Sequence, residues 1–254
     1  MTVSTHRVPR LYLDRELEGD SLTLGERESH YLSHVLRLQR GARLVVFNGR
    51  GAEREASVGS LQRRGATLAL AAAQTPLAES TLELTVVQAL PKSDAMDFIV
   101  QKATELGAAM LVPVYTEFSV VKLDAERAAR RLDHWRKIAQ SACEQCGRHR
   151  PPRIELPAQL GEAVATLPTG ARLALEHSAD AAFLAQPVTG RELVVAVGPE
   201  GGFGPTDWRR LDAAQFARAT LGPRVLRTET AALAVCAIAQ SRWGDLSEAR
   251  PLKP

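Results

Sequence analysis

The stretch covering residues 193–243 constrains the fold more than any other part of the chain. It opens with an apolar run at 193–197, passes through Gly198-Pro199-Glu200-Gly201-Gly202-Phe203-Gly204, and reaches a second short apolar run at 219–221 after an interval of helical character. A second loop, Leu221-Gly222-Pro223-Arg224-Val225-Leu226-Arg227-Thr228-Glu229-Thr230, leads into 231–243, which is apolar on nearly every side. Short apolar runs ending in Gly/Pro clusters read as buried strands leaving through loops. A helix that is apolar all round must be covered by its own domain or by a partner subunit. Two such passages in succession predict two strands whose loops leave the same edge of one α/β sheet, with ligands bound beyond their carboxyl ends.

The same alternation extends back to residue 82. Strands are expected at 82–90, 110–115 and 173–176, and helices at about 95–106 and 125–146. Ser93 or Asp94 is a candidate cap for the first helix and Gly107 is its expected terminator. Ahead of residue 82 the pattern differs. Short strand candidates at 10–13, 21–24, 44–47, 56–58 and 67–71 surround one helix at about 26–38, which suggests a small β-barrel. On that helix Tyr31, Val35 and Leu38 fall on one face. The polar, proline-bearing stretch 74–80 reads as a linker, so the expected domains are 1–75 and 76–254.

A hydrophobic fraction of 45% with 24% charged residues is that of a soluble globular protein, and no apolar run is long enough to cross a membrane. The expectation is a cytoplasmic protein. The formal charge of +3 is unevenly placed, with eleven Lys/Arg against eight Asp/Glu in 1–75 and nine against four in 122–153. The remainder is net acidic, and basic segments of this kind suit a polyanionic partner.

Three familiar site types are set aside. Cys143-Glu-Gln-Cys146 lies near the end of a long helix rather than at the start of one, and two further zinc ligands are missing; no metal is expected. The 198–204 loop lacks the Gly-Lys-Ser/Thr ending of a phosphate loop. It also lacks the Gly-x-Gly-x-x-Gly spacing of a dinucleotide site. Its glycines still let backbone groups approach a ligand closely. Arg227 and Glu229 beside that loop are not explained by helix capping, which Thr228 or Thr230 could supply.

Four segments together resemble one family. They are His34-Val-Leu-Arg37, the run from Leu90-Pro-Lys92 through Gly107, Glu144-Gln-Cys-Gly-Arg148, and the Gly198–Gly202 loop with Leu221–Thr230. This is similar to the RsmE family, SPOUT-superfamily methyltransferases that modify N3 of a uridine in 16S ribosomal RNA. Pro223 departs from the pattern, which bears on loop stiffness. The resemblance implies an N-terminal PUA-like β-barrel, a C-terminal α/β domain with a parallel sheet and a deep trefoil knot, and a homodimer. It also implies S-adenosyl-L-methionine as cofactor and 16S rRNA or the small ribosomal subunit as partner.

Carried over, the cofactor pocket comprises Gly198, Pro199, Glu200, Gly201, Gly202, Leu221, Gly222, Val225, Leu226, Arg227 and Thr230, with Leu175 and Glu176 at the margin. Chemistry at uridine N3 requires removal of a proton and stabilisation of the resulting charge on O2 and O4. Arg227 suits the second task, and Glu229 or Glu200 the first. Arg7, Arg10, His34, Arg37, Lys92 and Arg148 are candidate RNA contacts. Action on another base or on a ribose 2′-OH, or a non-catalytic role in ribosome assembly, stays open at this point.

Overall fold

The computed structural model describes residues 8–92 and 95–247. Arg7, Ser93 and Asp94, named above, lie outside the described residues. The described chain divides into two compact units, one running up to Glu79 together with Cys143–Arg150, the other comprising Ser80–Ala142 together with residues 151–247.

The first unit contains β1 (Arg10–Tyr12), β2 (Ser21–Leu24), the short helix α1 (Glu26–His30), β3 (Arg43–Phe47), β4 (Glu53–Gln62) and β5 (Gly65–Gln74). They form one five-stranded sheet in the order β1-β3-β4-β5-β2, parallel between β1 and β3 and antiparallel elsewhere. Among the described residues no ladder joins β1 to β2. The core is built by period-two alternation. Along β5, Ala66, Leu68 and Leu70 point inward, opposite Ala56 and Val58 of β4, where two register shifts bend the strand. Asn48 makes the β3–β4 turn, its Oδ1 accepting the Arg50 and Ala52 amides at 2.9 and 3.1 Å.

The helix does not keep the α-helical spacing that would put Tyr31, Val35 and Leu38 on one face. After His30 it widens into a π-helical turn, Tyr31–Val35, and stops at Arg37, which is left-handed at φ 52°. The widened turn rotates the face, so Leu32 is fully buried while Val35 is 58% exposed.

The second unit is a three-layer α/β structure. Its elements are β6 (Glu83–Ala89), α2 (Ala95–Glu105), β7 (Met110–Tyr115), α3 (Ala125–Cys146), β8 (Arg153–Ile154), β9 (Ala158–Gln159) and α4 (Leu160–Ala163). Then come β10 (Ala171–Leu175), β11 (Glu192–Val197), α5 (Pro205–Ala213), β12 (Ala217–Ala219) and α6 (Thr228–Trp243). The strands run parallel in the order β12-β10-β11-β6-β7-β8, with β9 also on β7. Both faces are covered, which explains the unbroken apolar runs. Leu193, Val195 and Val197 of β11 enter the core shared with α2, α3 and α6, whereas Val194 and Ala196 enter the one with Leu160, Phe203 and Leu211.

The apolar helix α6 is seated by polar contacts at its far end. Gln240 is fully buried; its Nε2 donates to Gly107 O at 2.8 Å and its Oε1 accepts from Ser80 Oγ at 2.6 Å. Gly107 is left-handed at φ 81°, and a Cβ there would lie 2.9 Å from Gln240 Nε2. Gly107→Ala is therefore expected to destabilise the protein by roughly 1–3 kcal/mol, measured as a lowered urea midpoint. An unchanged midpoint would show that the turn relaxes freely.

Candidate functional site

Parallel pairing brings the ends of β6, β7, β10, β11 and β12 to one edge, with β11 between β10 and β6. The loops that leave this edge are stitched to one another by a short chain of hydrogen bonds. Thr228 Oγ1 donates to Gly198 O at 2.7 Å and accepts from Gln88 Nε2 at 2.9 Å. Gln88 Nε2 also donates to Ala89 O at 2.8 Å. This relay fixes the start of α6 against the ends of β6 and β11. Gln88 and Thr228 are both buried, so the bonds form where water does not compete. Neither Thr228 nor Thr230 caps α6: Arg227 occupies the cap position without a side-chain bond, and the Thr228 hydroxyl is committed to the strand end.

The glycine loop is a tight turn. Gly202 N donates to Pro199 O at 2.9 Å, and Gly202 sits at φ 72°. A Cβ on Gly198 would come within 3.2 Å of Gly202 backbone atoms, so the loop closes on itself there. Glu200 Oε1 accepts the Lys92 amide at 3.0 Å, joining the loops after β11 and β6. The loop after β12 is tied to the one after β10. Phe183 N donates to Thr220 O, Thr220 N to Ala181 O, and Gly222 N to Thr220 Oγ1 at 3.3 Å. Glu176 N donates to Ala219 O at 3.0 Å.

Sequence-chosen residues from three separate segments thus converge: Leu175 and Glu176, Gly198 through Gly202, and Leu221 through Arg227. Within this set Glu176 is already engaged, its carboxylate 3.4 Å from the Arg218 guanidinium. Arg227 and Glu200 are exposed, Glu229 is half-buried, and Val225 is 78% exposed. At Gly202 and Gly222, left-handed at φ 72° and 107°, a side chain would meet nothing within 4 Å. Bare backbone beside open space is what a ligand recognised through main-chain groups requires. Gln88, Glu117, Asp207 and Thr220 were missed. Gln88 is signalled only as a polar residue in an apolar strand, and Asp207 by its position three residues after Gly204 with proline at 205.

The candidate RNA contacts separate into two groups. His34 is exposed and stacks on His30 with ring centroids 4.2 Å apart, and Arg37 is exposed on its left-handed backbone. Lys92 is exposed as well. Arg10 and Arg148 are corrected. The Arg10 side chain is only 10% exposed, pairs with Glu53 at 2.8 Å, and lies 4.6 Å above the Phe47 ring. Arg148 is 14% exposed and pairs with Glu79 at 2.8 Å. Buried guanidiniums already neutralised by carboxylates are not available to phosphate.

Glu144 is likewise structural. Its carboxylate accepts the Tyr12 amide at 2.9 Å and the Tyr31 hydroxyl at 2.7 Å. Burial holds its carboxyl above the usual range, against the pull of Tyr12, Tyr31 and Arg10. A raised folded value means that its contribution to stability is full below the unfolded pKa of about 4.3 and is lost as pH rises through the folded value. The stability difference between wild type and Glu144→Gln should therefore shrink as urea titrations move upward from pH 4. A difference that is flat with pH would refute it. Cys143 is buried and its thiol is raised, first by the hydrogen bond with Cys146 and then by burial, so it is no ready nucleophile. Among the described residues no three His, Cys, Asp or Glu cluster as metal ligands, and no helix is long and apolar enough to cross a membrane.

Parallel strands with glycine loops meeting at one edge define a class of ligand-binding α/β enzymes, and comparison with known proteins narrows it. Residues 78–240 match the model of an RNA methyltransferase domain, and residues 24–70 match that of an RNA methyltransferase PUA domain. The ribosomal RNA small subunit methyltransferase E of Synechocystis is 31% identical, over 83% of this chain and 70% of its own length. A crystal structure of that enzyme from Neisseria gonorrhoeae, bound to S-adenosyl methionine, is 35% identical with a TM-score of 0.86, covering 94% of this chain and 99% of the other. A Legionella pneumophila structure with bound SAM is 33% identical with a TM-score of 0.90, over 94% and 100% of the two chains. The chain belongs to the ribosomal RNA small subunit methyltransferase E family.

Proposed function

We propose that this protein methylates N3 of a uridine in 16S ribosomal RNA, using S-adenosyl-L-methionine bound by the loops after β10, β11 and β12. The observation that carries the reading is the convergence of the Gly198–Gly202 and Leu221–Arg227 loops on one strand edge, with open backbone at Gly202 and Gly222. The cofactor supplies an electrophilic methyl group. Gly198, Pro199, Glu200, Gly201, Gly202, Leu221, Gly222, Val225, Leu226, Arg227 and Thr230 hold it, with Leu175 and Glu176 at the margin.

The protein's own groups handle position and charge. Fixed loops orient the two reactants, which by itself accounts for a large part of the rate gain open to such a transfer. Glu229 or Glu200 accepts the N3 proton, and Arg227 faces the charge that spreads onto O2 and O4. Glu200 is already engaged by the Lys92 amide, whereas Glu229 has no hydrogen-bond or ion-pair partner among the described residues and is the better base. Residues 1–75 serve as the RNA-binding domain, with His34 and Arg37 offered to the nucleic acid, and 76–254 as the catalytic domain with Lys92 near its loops. A deep trefoil knot through the β12–α6 region and a homodimer complete the reading, the dimer supported by the apolar, partly exposed flank of α6. Nucleoside mass spectrometry of 16S rRNA from a strain lacking the gene tests it: 3-methyluridine must vanish and return on complementation.

A further inference from the structure

One aromatic side chain stands exposed on a loop whose backbone is otherwise held fast. Phe118, in the segment that follows β7, is 47% exposed. It lies against the glycine loop: a Cβ placed on Gly201 would be 3.4 Å from Phe118 Cβ and 3.7 Å from its Cδ2.

The residues on either side of Phe118 are clamped. Asp207 Oδ2 accepts the Gly204 amide and the Glu117 amide, each at 3.0 Å, and Asp207 is fully buried. In return Glu117 Oε2 accepts the Thr206 amide at 2.9 Å, capping α5. The two acids cross over, each satisfying backbone of the other segment. Gly204 is needed there, because a Cβ at that position would collide with the Glu117 side chain. On the other side, Ser119 Oγ accepts the Thr116 amide at 3.1 Å and Ser119 N donates to Thr116 O at 3.1 Å. Phe118 is thus an apolar ring turned outward between two anchored neighbours, at the edge where the cofactor loops meet.

An aromatic ring on fixed backbone loses little freedom when a flat partner lies on it, and RNA bases freed from their own stacks are recognised by such rings. A uracil must leave its pairing for N3 to react. We propose that Phe118 is the stacking platform for the uracil to be methylated, and that the Glu117–Asp207 crossover fixes it relative to Gly201. This rests on the uridine reading above. Phe118 touches substrate through its ring face, and its place beside the glycine loop couples base position to cofactor position.

The test uses the full-length protein with 16S rRNA and with small ribosomal subunits, both from a strain lacking the gene. Phe118→Ala is expected to lower kcat/KM for RNA roughly tenfold to hundredfold, the range of one base–aromatic stack. Its affinity for S-adenosyl-L-methionine, measured by calorimetry, should stay within about twofold. Phe118→Trp should restore most of the loss and Phe118→Leu should not, since only a flat ring stacks. Wild-type kcat/KM in Phe118→Ala, full rescue by leucine, or a smaller assembly by sedimentation in Phe118→Ala would each overturn the platform. If the wild-type protein itself forms no 3-methyluridine, the functional reading fails with it; if Phe118→Ala forms it at the wild-type rate, the platform alone fails.

Discussion

Replacing Arg227 with alanine is expected to lower turnover about 100-fold, the typical cost of removing one donor aimed at developing charge. The expectation comes from its placement. Arg227 stands at the first position before α6, exposed and without an ion pair among the described residues, while its neighbour Thr228 is locked to Gly198 at 2.7 Å. The backbone is therefore fixed while the guanidinium remains uncommitted, as a group reserved for substrate should be. Loss of charge stabilisation made only in the transition state lowers kcat and kcat/KM together. KM for RNA should change little, and the fold should be intact, because the Arg227 side chain fills no core. Arg227→Lys keeps a charge but not the planar fork, and recovers only part of the loss. Steady-state transfer of labelled methyl to 16S rRNA measures this; full turnover in Arg227→Ala would remove the residue from the mechanism.

The largest expected stability effect lies in the first unit. Glu53→Ala should cost about 3–5 kcal/mol, because it strands the buried Arg10 guanidinium. Arg10 and Glu53 side chains are 10% and 7% exposed, 2.8 Å apart. Arg10 Nη2 also reaches Arg148 O at 3.3 Å. Its Nε has no hydrogen-bond partner, so the site has little polar capacity in reserve. Converting both members to apolar residues should restore much of the loss, since the unpaired charge rather than the missing bond is what destabilises. Urea unfolding of the two single variants and the double variant closes the cycle. A Glu53→Ala cost under about 1 kcal/mol would show that water reaches Arg10.

The sequence placed the loops better than it placed the arginines. Apolar runs ending in glycine and proline are a local signal, so the exits of β11 and β12 and the helix after them could be read directly. The helix α6 begins at Thr228, three residues before the apolar run at 231–243, because the Thr228 hydroxyl bonds inward to Gly198 instead of capping. The order of the five strands in the first unit could not be read from the short apolar runs, since strand pairing is a long-range property. Tyr31, Val35 and Leu38 share a face only under α-helical spacing, which a π turn at Tyr31–Val35 breaks.

What the sequence by itself determined was the parallel α/β class of the second unit, the glycine loops, the residues gathered on them, and the family. These follow from periodicity and from motifs whose atoms are neighbours along the chain. Only the tertiary structure decided which charged groups remain free. Arg10 and Glu53 are 43 positions apart, and Glu117 and Thr206 are 89 apart. The energy of a charge depends on its burial and its partner, and both are set by distant chain segments. Composition makes Arg10 and Arg227 alike; packing encloses one with a carboxylate and leaves the other exposed at the start of α6.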